Sequence, residues 1–245
     1  MENHEQELYV GAARGAGMVK TVAVITGLLR RLGRFSGERL LDVGCGDGTF
    51  TIALSANFRA VHGIDVQEEY LEHFRSATKG NPRFEIAQMS ASAMTFPDGH
   101  FDTIVTIETL EHVPDLPGAA AEICRVLKPG GELLITVPNR WFFFENHGMR
   151  VGGREIGGRI PLLPYLPWLH RRFSIARVFS VRDLDSHFAA RGLTRTGLAY
   201  AWPTFEHGGN RLQPLLRSLF GLMRWMETSR LRMFGSSVVV RYTKS

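Results

Sequence analysis

The feature that narrows the fold most is a short apolar run, Arg39 to Val43, that stops at three alternating glycines, Gly44-Cys45-Gly46-Asp47-Gly48. Helical spacing follows from Thr49 to Asn57. A strand, a glycine turn and a helix in that order bring main chain close to a ligand at the strand's carboxyl end, because glycine tolerates positive φ and carries no side chain. The dinucleotide fingerprint needs glycine at position 49, where this chain has Thr49, so the spacing is G-x-G-x-G and the nicotinamide reading weakens. Asp65 closes the next apolar run, Gly63-Ile64-Asp65, where a carboxylate would accept ribose hydroxyls from a dinucleotide or an adenosyl ligand.

The same rhythm continues downstream. Strands are expected at Ala60 to Asp65, Arg83 to Ala87, Phe101 to Ile107 and Glu132 to Val137, with helices at Gln67 to Lys79 and Leu116 to Leu127. Such alternation predicts an α/β fold with a doubly wound, mostly parallel sheet. A chain of 245 residues with 44% hydrophobic content suits one domain over 1–245. Within it, 1–37 is read as an N-terminal region whose amphipathic helix, Gly17 to Leu32, could cap a cofactor pocket, and 38–138 as the cofactor-binding core. After Pro138 the rhythm breaks, and 139–177 and 202–235 are read as insertions at one end of the sheet. Between them Ser180 is a candidate N-cap, with no Glu at N3, ahead of a helix and a strand from Leu193 to Ala201; a last strand covers Ser237 to Tyr242.

Five motifs in order resemble the class I S-adenosylmethionine-dependent methyltransferases of the type 11 group, which includes ubiquinone and menaquinone biosynthesis enzymes. They are Leu40 to Gly48, Gly63-Ile64-Asp65, Phe96 to Asp102, Leu110-Glu111-His112-Val113 and Leu127-Lys128-Pro129-Gly130-Gly131. The resemblance covers roughly Arg39 to Asn139. It implies a Rossmann-like fold of seven strands with the last antiparallel, and S-adenosyl-L-methionine as cofactor. It further implies that Asp42, Gly44 and Gly46 line the methionine and ribose moieties, that Asp65 holds the ribose hydroxyls, and that Val66 faces the adenine. The backbone of Ile107 and Glu108 would meet the methionine end. Where the family carries Asp for the adenine amino group, this chain has Ser90, whose hydroxyl or a nearby carbonyl is expected to substitute. Glu111 and His112 are read as shaping the pocket, and Asp98 and Asp102 as satisfying backbone donors around a turn.

On the acceptor side, methyl transfer is an in-line displacement with a neutral leaving group, so positioning carries much of the catalysis. A hydroxyl acceptor would gain from a general base, and His147, just beyond the fifth strand and two residues from Glu145, is the first candidate; His170 and His207 follow. Trp141 to Phe144, Trp168, Phe173 and Trp202 would line an apolar acceptor pocket or form a satellite core. Leu215, Leu216, Leu219, Phe220, Leu222, Met223, Trp225 and Met226, interspersed with arginines, suit an interfacial or a lid helix.

Charge is uneven: residues 1–138 hold 12 Lys/Arg against 18 Asp/Glu, and 139–245 hold 17 against 6. The basic part points to an anionic or amphiphilic partner, with peripheral contact to the inner face of a membrane among the expectations. Nucleic acid is disfavoured because the fourth strand ends in Thr106-Ile107-Glu108-Thr109, without the Asn/Asp-Pro-Pro-aromatic run of enzymes that methylate base amines. Met1 to Val10 lacks the pattern of a signal peptide, and Cys45 and Cys124 show neither disulfide nor zinc spacing, so a cytoplasmic protein without a structural metal is expected. The sequence-derived function is methyl transfer to an oxygen or carbon of a quinol, lipid or secondary metabolite. RNA methylation and non-catalytic binding of an adenosyl ligand are the alternatives.

Overall fold

The computed structural model describes residues 16–157, 160–203, 225–226 and 229–245. The N-terminal stretch 1–15, His207 and the apolar positions Leu215, Leu216, Leu219, Phe220, Leu222 and Met223 of the second insertion lie outside the described residues.

The core is a sheet flanked by helices: α1 (Ala16–Leu32), β1 (Gly37–Val43), α2 (Thr49–Leu54), β2 (Phe58–Asp65), α3 (Glu68–Ala77), β3 (Phe84–Gln88), β4 (Phe101–Ile107), α4 (Leu116–Val126) and β5 (Leu127–Pro138). After the first insertion come α6 (Val181–Phe188), β10 (Leu193–Ala201) and β11 (Ser237–Lys244). The seven strands run in the order β10-β11-β5-β4-β1-β2-β3. β1 pairs in parallel with both β2 and β4, so the winding reverses there, and β11 is antiparallel to both its neighbours. A ligand crevice forms at such a reversal, outside the carboxyl ends of the strands, because the loops on either side diverge.

Alternation of side chains along the strands divides the core between two faces. Leu41, Val43, Ile104, Leu133, Ile135, Val137, Val238 and Val240 pack with Ile123 of α4 and with Leu184 and Phe188 of α6. Their neighbours Leu40, Val105, Leu134 and Val239 face the other way and meet Ile25, Leu28 and Leu29 of α1 and Leu54 of α2. At about 1.5–3 kcal/mol for each large apolar side chain removed from water, either face outweighs any single polar contact described below. The helix expected to cap the cofactor pocket therefore covers a sheet face over its described side chains. Its apolar stripe has a larger surface to bury there than a pocket rim offers.

Element limits differ little from expectation, with two instructive exceptions. β5 begins at Leu127, earlier than Glu132, because the Pro129-Gly130-Gly131 turn is absorbed as an irregularity in its pairing with β4. The Ser180 cap closes a full capping box although no Glu stands at N3: Asp183 accepts from the Ser180 backbone N–H at 2.8 Å, while the Ser180 hydroxyl oxygen accepts from Asp183 N at 3.2 Å.

The first insertion carries β6 (Phe144–Glu145), β7 (Met149–Val151), β8 (Arg154–Ile156), β9 (Ile160–Pro161) and α5 (Pro167–Phe173). β6 pairs with β9 and β7 with β8, making two small antiparallel ribbons at the carboxyl end of β5. Its root is fixed by buried Asn139, whose Nδ2 donates to the carbonyls of Met233 and Gly235 at 2.8 and 2.7 Å. Its return limb is fixed by Arg177, which donates from its backbone to Glu111 O at 3.2 Å and from its guanidinium to the carbonyls of Val113 and Pro114.

Candidate active site

The glycine turn after β1 has the predicted left-handed geometry, with φ of 77° at Gly44, 52° at Gly46 and 79° at Gly48. The three glycines serve different ends. A Cβ on Gly44 would stand 2.2 Å from Cγ2 of Thr109, and one on Gly48 would stand 2.1 Å from the Phe74 ring. A Cβ on Gly46 would meet nothing within 4 Å, so this is where the turn lies open to a ligand. Gly46 N donates to Asp65 Oδ2 at 3.0 Å, and Gln67 N donates to Asp65 Oδ1 at 3.0 Å. The carboxylate at the end of β2 is thus held in place by main chain, with further lone pairs for a ligand.

Asp42 is buried, and its Oδ2 accepts from the Thr51 hydroxyl at 2.6 Å. Its Oδ1 has no donor. Burial pushes the Asp42 carboxyl up to about 7 against the Thr51 hydrogen bond, with the Asp65 charge adding to the rise. Val66 is 60% exposed at the mouth of β2, an apolar surface left for a flat partner. Ser90 is exposed, and its hydroxyl lies 3.1 Å from that of Ser92. At the end of β4, Glu108 has φ 48°, a conformation costly for a side chain other than glycine, and is held there by N–H bonds to the carbonyl and hydroxyl oxygens of Thr136 at 2.9 and 3.2 Å. The orphaned Asp42 oxygen, the open position at Gly46 and the exposed Val66 fit an adenosyl amino acid, which brings an ammonium, ribose hydroxyls and a flat base.

Beside this pocket the ends of β4 and β5 bring together ionisable groups that lie far apart in sequence. His147 Nδ1 lies 3.3 Å from Glu145 Oε1, which also accepts from His147 N at 2.8 Å; His170 Nε2 lies 2.5 Å from Glu145 Oε2. Burial alone would raise the Glu145 carboxyl, but the bonds from His147 and His170 hold it down at about 2. With its Nδ1 donating to a carboxylate, His147 presents Nε2 as an acceptor. That nitrogen faces Glu111 Oε1 at 3.8 Å, and His112 Nε2 stands 4.0 Å from the same oxygen. The His112 and His147 rings meet edge-on at 5.4 Å. Burial pulls His112 down to about 4, with the Arg177 charge adding to the fall, so it is neutral at pH 7. Burial pushes Glu111 well up, reinforced by Glu108 and Glu145, and Glu108 is pushed up by burial too.

The structure thus places Ile107 and Glu108 at the end of β4 and His147 beyond β5, and Asp42, Gly44, Gly46, Asp65, Val66 and Ser90 around the ends of β1, β2 and β3 at the same sheet edge. Thr51 and Thr109 escaped the sequence as site residues, while Glu145 and His170, noted there as the neighbour of His147 and as a weaker candidate base, prove to be joined to each other. Thr109 ties the two flanks, its hydroxyl donating toward Gly44 O at 3.3 Å and Ile107 O at 3.1 Å. The only sequence signal for the Glu145 pair was its proximity to His147. The aromatic run divides: Phe142 and Trp202 are buried, Phe143 stacks on Phe234 at 5.3 Å, and Trp168 is 67% exposed. Asp98 and Asp102 are structural: Asp98 pairs with Arg125 at 2.7 Å, and Asp102 accepts from Arg39 N at 2.8 Å and Lys128 Nζ at 2.6 Å.

Comparison with known proteins bears on the first half of this edge. Residues 41–135 match the family described as a methyltransferase domain. A ubiquinone biosynthesis O-methyltransferase of Paracidovorax citrulli is 34% identical over 118 residues, 46% of this chain and 49% of that protein. A 27-O-demethylrifamycin SV methyltransferase of Amycolatopsis mediterranei is 35% identical over 106 residues, 41% of this chain and 38% of that one. The chain therefore aligns with half or less of the length of these relatives. The crystal structure of an S-adenosylmethionine-dependent methyltransferase from Mesorhizobium loti superposes with a TM-score of 0.62 over 89% of this chain and 96% of that one, at 18% identity, a likeness of fold.

Proposed function

We propose, from the match of residues 41–135 to a methyltransferase domain, that the chain transfers a methyl group from S-adenosyl-L-methionine to an oxygen of a small or amphiphilic acceptor. The observation that carries this reading is the placing of an ionisable cluster, Glu145-His147-Glu111, beside the glycine loop at one sheet edge. The names of the two relatives, an O-methyltransferase and an enzyme of an O-demethyl acceptor, support oxygen over carbon or nitrogen.

When bound, the cofactor supplies a methyl carbon on a sulfonium, with a neutral thioether as leaving group. On this chain, Asp65 would hold the ribose hydroxyls, Val66 the face of the adenine, Ser90 its amino edge, and the open turn at Gly46 the methionyl chain. Asp42, through its orphaned Oδ1, and the backbone at Ile107 and Glu108 would hold the ammonium end. His147 is the acceptor-side catalytic residue: Nε2 takes the proton of the acceptor hydroxyl, and the Glu145 carboxylate stabilises the imidazolium that forms. The exposed Trp168, Leu162 and Leu166, beside Arg171 and Arg172, suit an acceptor that is apolar with an anionic or membrane-bound end.

Calorimetric titration with S-adenosylhomocysteine, for the wild type and Asp65→Ala, followed by a screen of quinols, phenols and lipids with labelled cofactor, tests this. Wild-type binding that weakens at least tenfold in Asp65→Ala, and label on an oxygen, are expected. No wild-type binding would sink the proposal.

A further inference from the structure

Glu111 is an anomaly among the buried groups. Its side chain is 0% exposed, and among the described residues neither carboxylate oxygen has a hydrogen-bond donor. A buried carboxyl normally finds donors, because leaving both oxygens without them forfeits the hydration lost on burial. Here the groups that face it are imidazole nitrogens, at 3.8 Å from His147 Nε2 and 4.0 Å from His112 Nε2, too far to donate to it. One ligand atom from each of the three residues lies within 4.8 Å of the others. Two atoms bound to one ion at about 2.1 Å and a tetrahedral angle stand about 3.4 Å apart. The two Glu111 spacings exceed that by about half an ångström and the spacing between the imidazoles by at most about 1.4 Å, gaps that side-chain rotation closes.

We infer that Glu111, His112 and His147 form a binding site for a divalent transition-metal cation, with Glu145 and His170 as its outer support. Two imidazoles and one carboxylate suit zinc, manganese or iron(II), and three protein ligands leave a position open. The outer support has the arrangement that metal-bound histidines require: His147 donates Nδ1–H to Glu145, which is itself held by His170 at 2.5 Å, so Nε2 is fixed as the ligand nitrogen. The Glu111 carbonyl is also tied to Arg177 N at 3.2 Å, which keeps the carboxylate-bearing turn against the insertion that delivers His147.

The inference rests on the methyl-transfer reading of this edge and deepens it, replacing the base role of His147 Nε2 with a ligand role whenever the ion is bound. With the ion in place His147 is a ligand, the acceptor hydroxyl fills the open position, and its proton leaves to solvent water while the oxygen keeps its electron pair against the cation. An acceptor with two neighbouring oxygens, such as a catechol or a hydroxyquinol, would chelate the ion and outcompete a lone hydroxyl.

The test is calorimetric titration of the chelator-treated, full-length protein with Zn2+ and separately Mn2+, together with the visible absorption of the Co2+ form. One ion per chain is expected, with affinity at least a hundredfold weaker in Glu111→Gln and in His112→Ala. Glu111→Gln keeps the side-chain volume of a buried carboxyl that lacks donors, so the melting temperature of the ion-free protein should be unchanged or higher, and a loss of ion binding will not stem from misfolding. Absence of stoichiometric binding in the wild type, or equal binding by Glu111→Gln, overturns the site. Methyl transfer that persists unchanged in chelator without ion binding also overturns it while the function stands. Ion binding without transfer to any acceptor supports the site and sinks the function.

Discussion

One edge of the sheet carries two kinds of surface. Around β1 and β2, ligand recognition is built from main chain and short side chains: a turn of left-handed glycines, an aspartate held by two backbone N–H groups, an exposed valine. Around β4 and β5 the edge is built from ionisable side chains, buried Glu111, Glu145 and His170 and half-buried Glu108 and His147, that satisfy or fail to satisfy one another. The first surface is set by local conformation and tolerates almost no change of shape. The second is set by charge and tolerates shape changes that keep the charges. That difference is what a cofactor common to many enzymes and an acceptor particular to one would select.

Gly44→Ala tests the first surface at its least tolerant point. The new Cβ meets Thr109 at 2.2 Å and the residue must keep φ near 77°, so either the turn or the link from Thr109 to Gly44 O gives way. Affinity for S-adenosylhomocysteine should fall at least a hundredfold, about 3 kcal/mol, as read by calorimetry. Gly46→Ala meets no described protein atom, and its Cβ enters only the space proposed for the methionyl chain, so affinity should fall there as well while the melting temperature of the ligand-free protein drops less than in Gly44→Ala. An equal drop in melting temperature in the two variants would mean that backbone conformation alone, without the close approach to Thr109, sets the turn.

Glu145→Gln tests the second. The substitution keeps volume and an acceptor for His147 but removes the negative charge that two histidines share. Turnover should fall about a hundredfold while cofactor affinity is unchanged, measured on one preparation. A parallel fall in S-adenosylhomocysteine binding would erase the division between the two surfaces.

The two surfaces were unequally legible in the sequence for the same reason that they differ physically. Residues 42–48 and 63–66 form their part of the pocket within single turns, so spacing alone gives the geometry. The ionisable cluster joins Glu111 to Glu145, His147 and His170 through the folding back of the ribbons β6–β9 and the anchoring of Arg177. No local pattern encodes such a return, so His147, Glu145, Glu111 and His170 were each legible in the sequence while their contacts with one another were not. The capping box at Ser180 shows a smaller version of the point: Asp183 serves where Glu is usual, and only the coordinates show its carboxylate reaching back.

Asp42 belongs to the first surface in sequence and to the second in behaviour, and pH separates the two. Its carboxyl rises from 3.8 to about 7 on folding. Between those values the folded chain holds a proton that the unfolded chain has released, so this group lowers stability as pH rises from about 4 to 7, by up to about 1.4 kcal/mol per unit. Chemical denaturation of the ligand-free protein across that window should show a falling component that Asp42→Asn abolishes. A pH-independent difference between the two proteins would mean that the Thr51 hydroxyl already compensates the charge.

The smallest expected effect concerns how the second surface is carried. α6 sends Leu184 and Phe188 into the core, and just before it Phe179 pairs with the end of β5, its N–H donating to Pro138 O at 2.9 Å while Arg140 N donates to Phe179 O at 2.9 Å. The insertion that holds Glu145 and His147 leaves and rejoins the core at this seam. Ser180→Ala removes one side of the capping box and should cost about 1 kcal/mol, lowering the melting temperature by about 2–4 °C. If the core holds the seam rigidly, turnover and cofactor affinity stay at wild-type values. A loss of turnover larger than the loss of stability, with cofactor affinity intact, would show that the ionisable surface depends on helix capping remote from it, whereas the glycine surface depends only on its own turn.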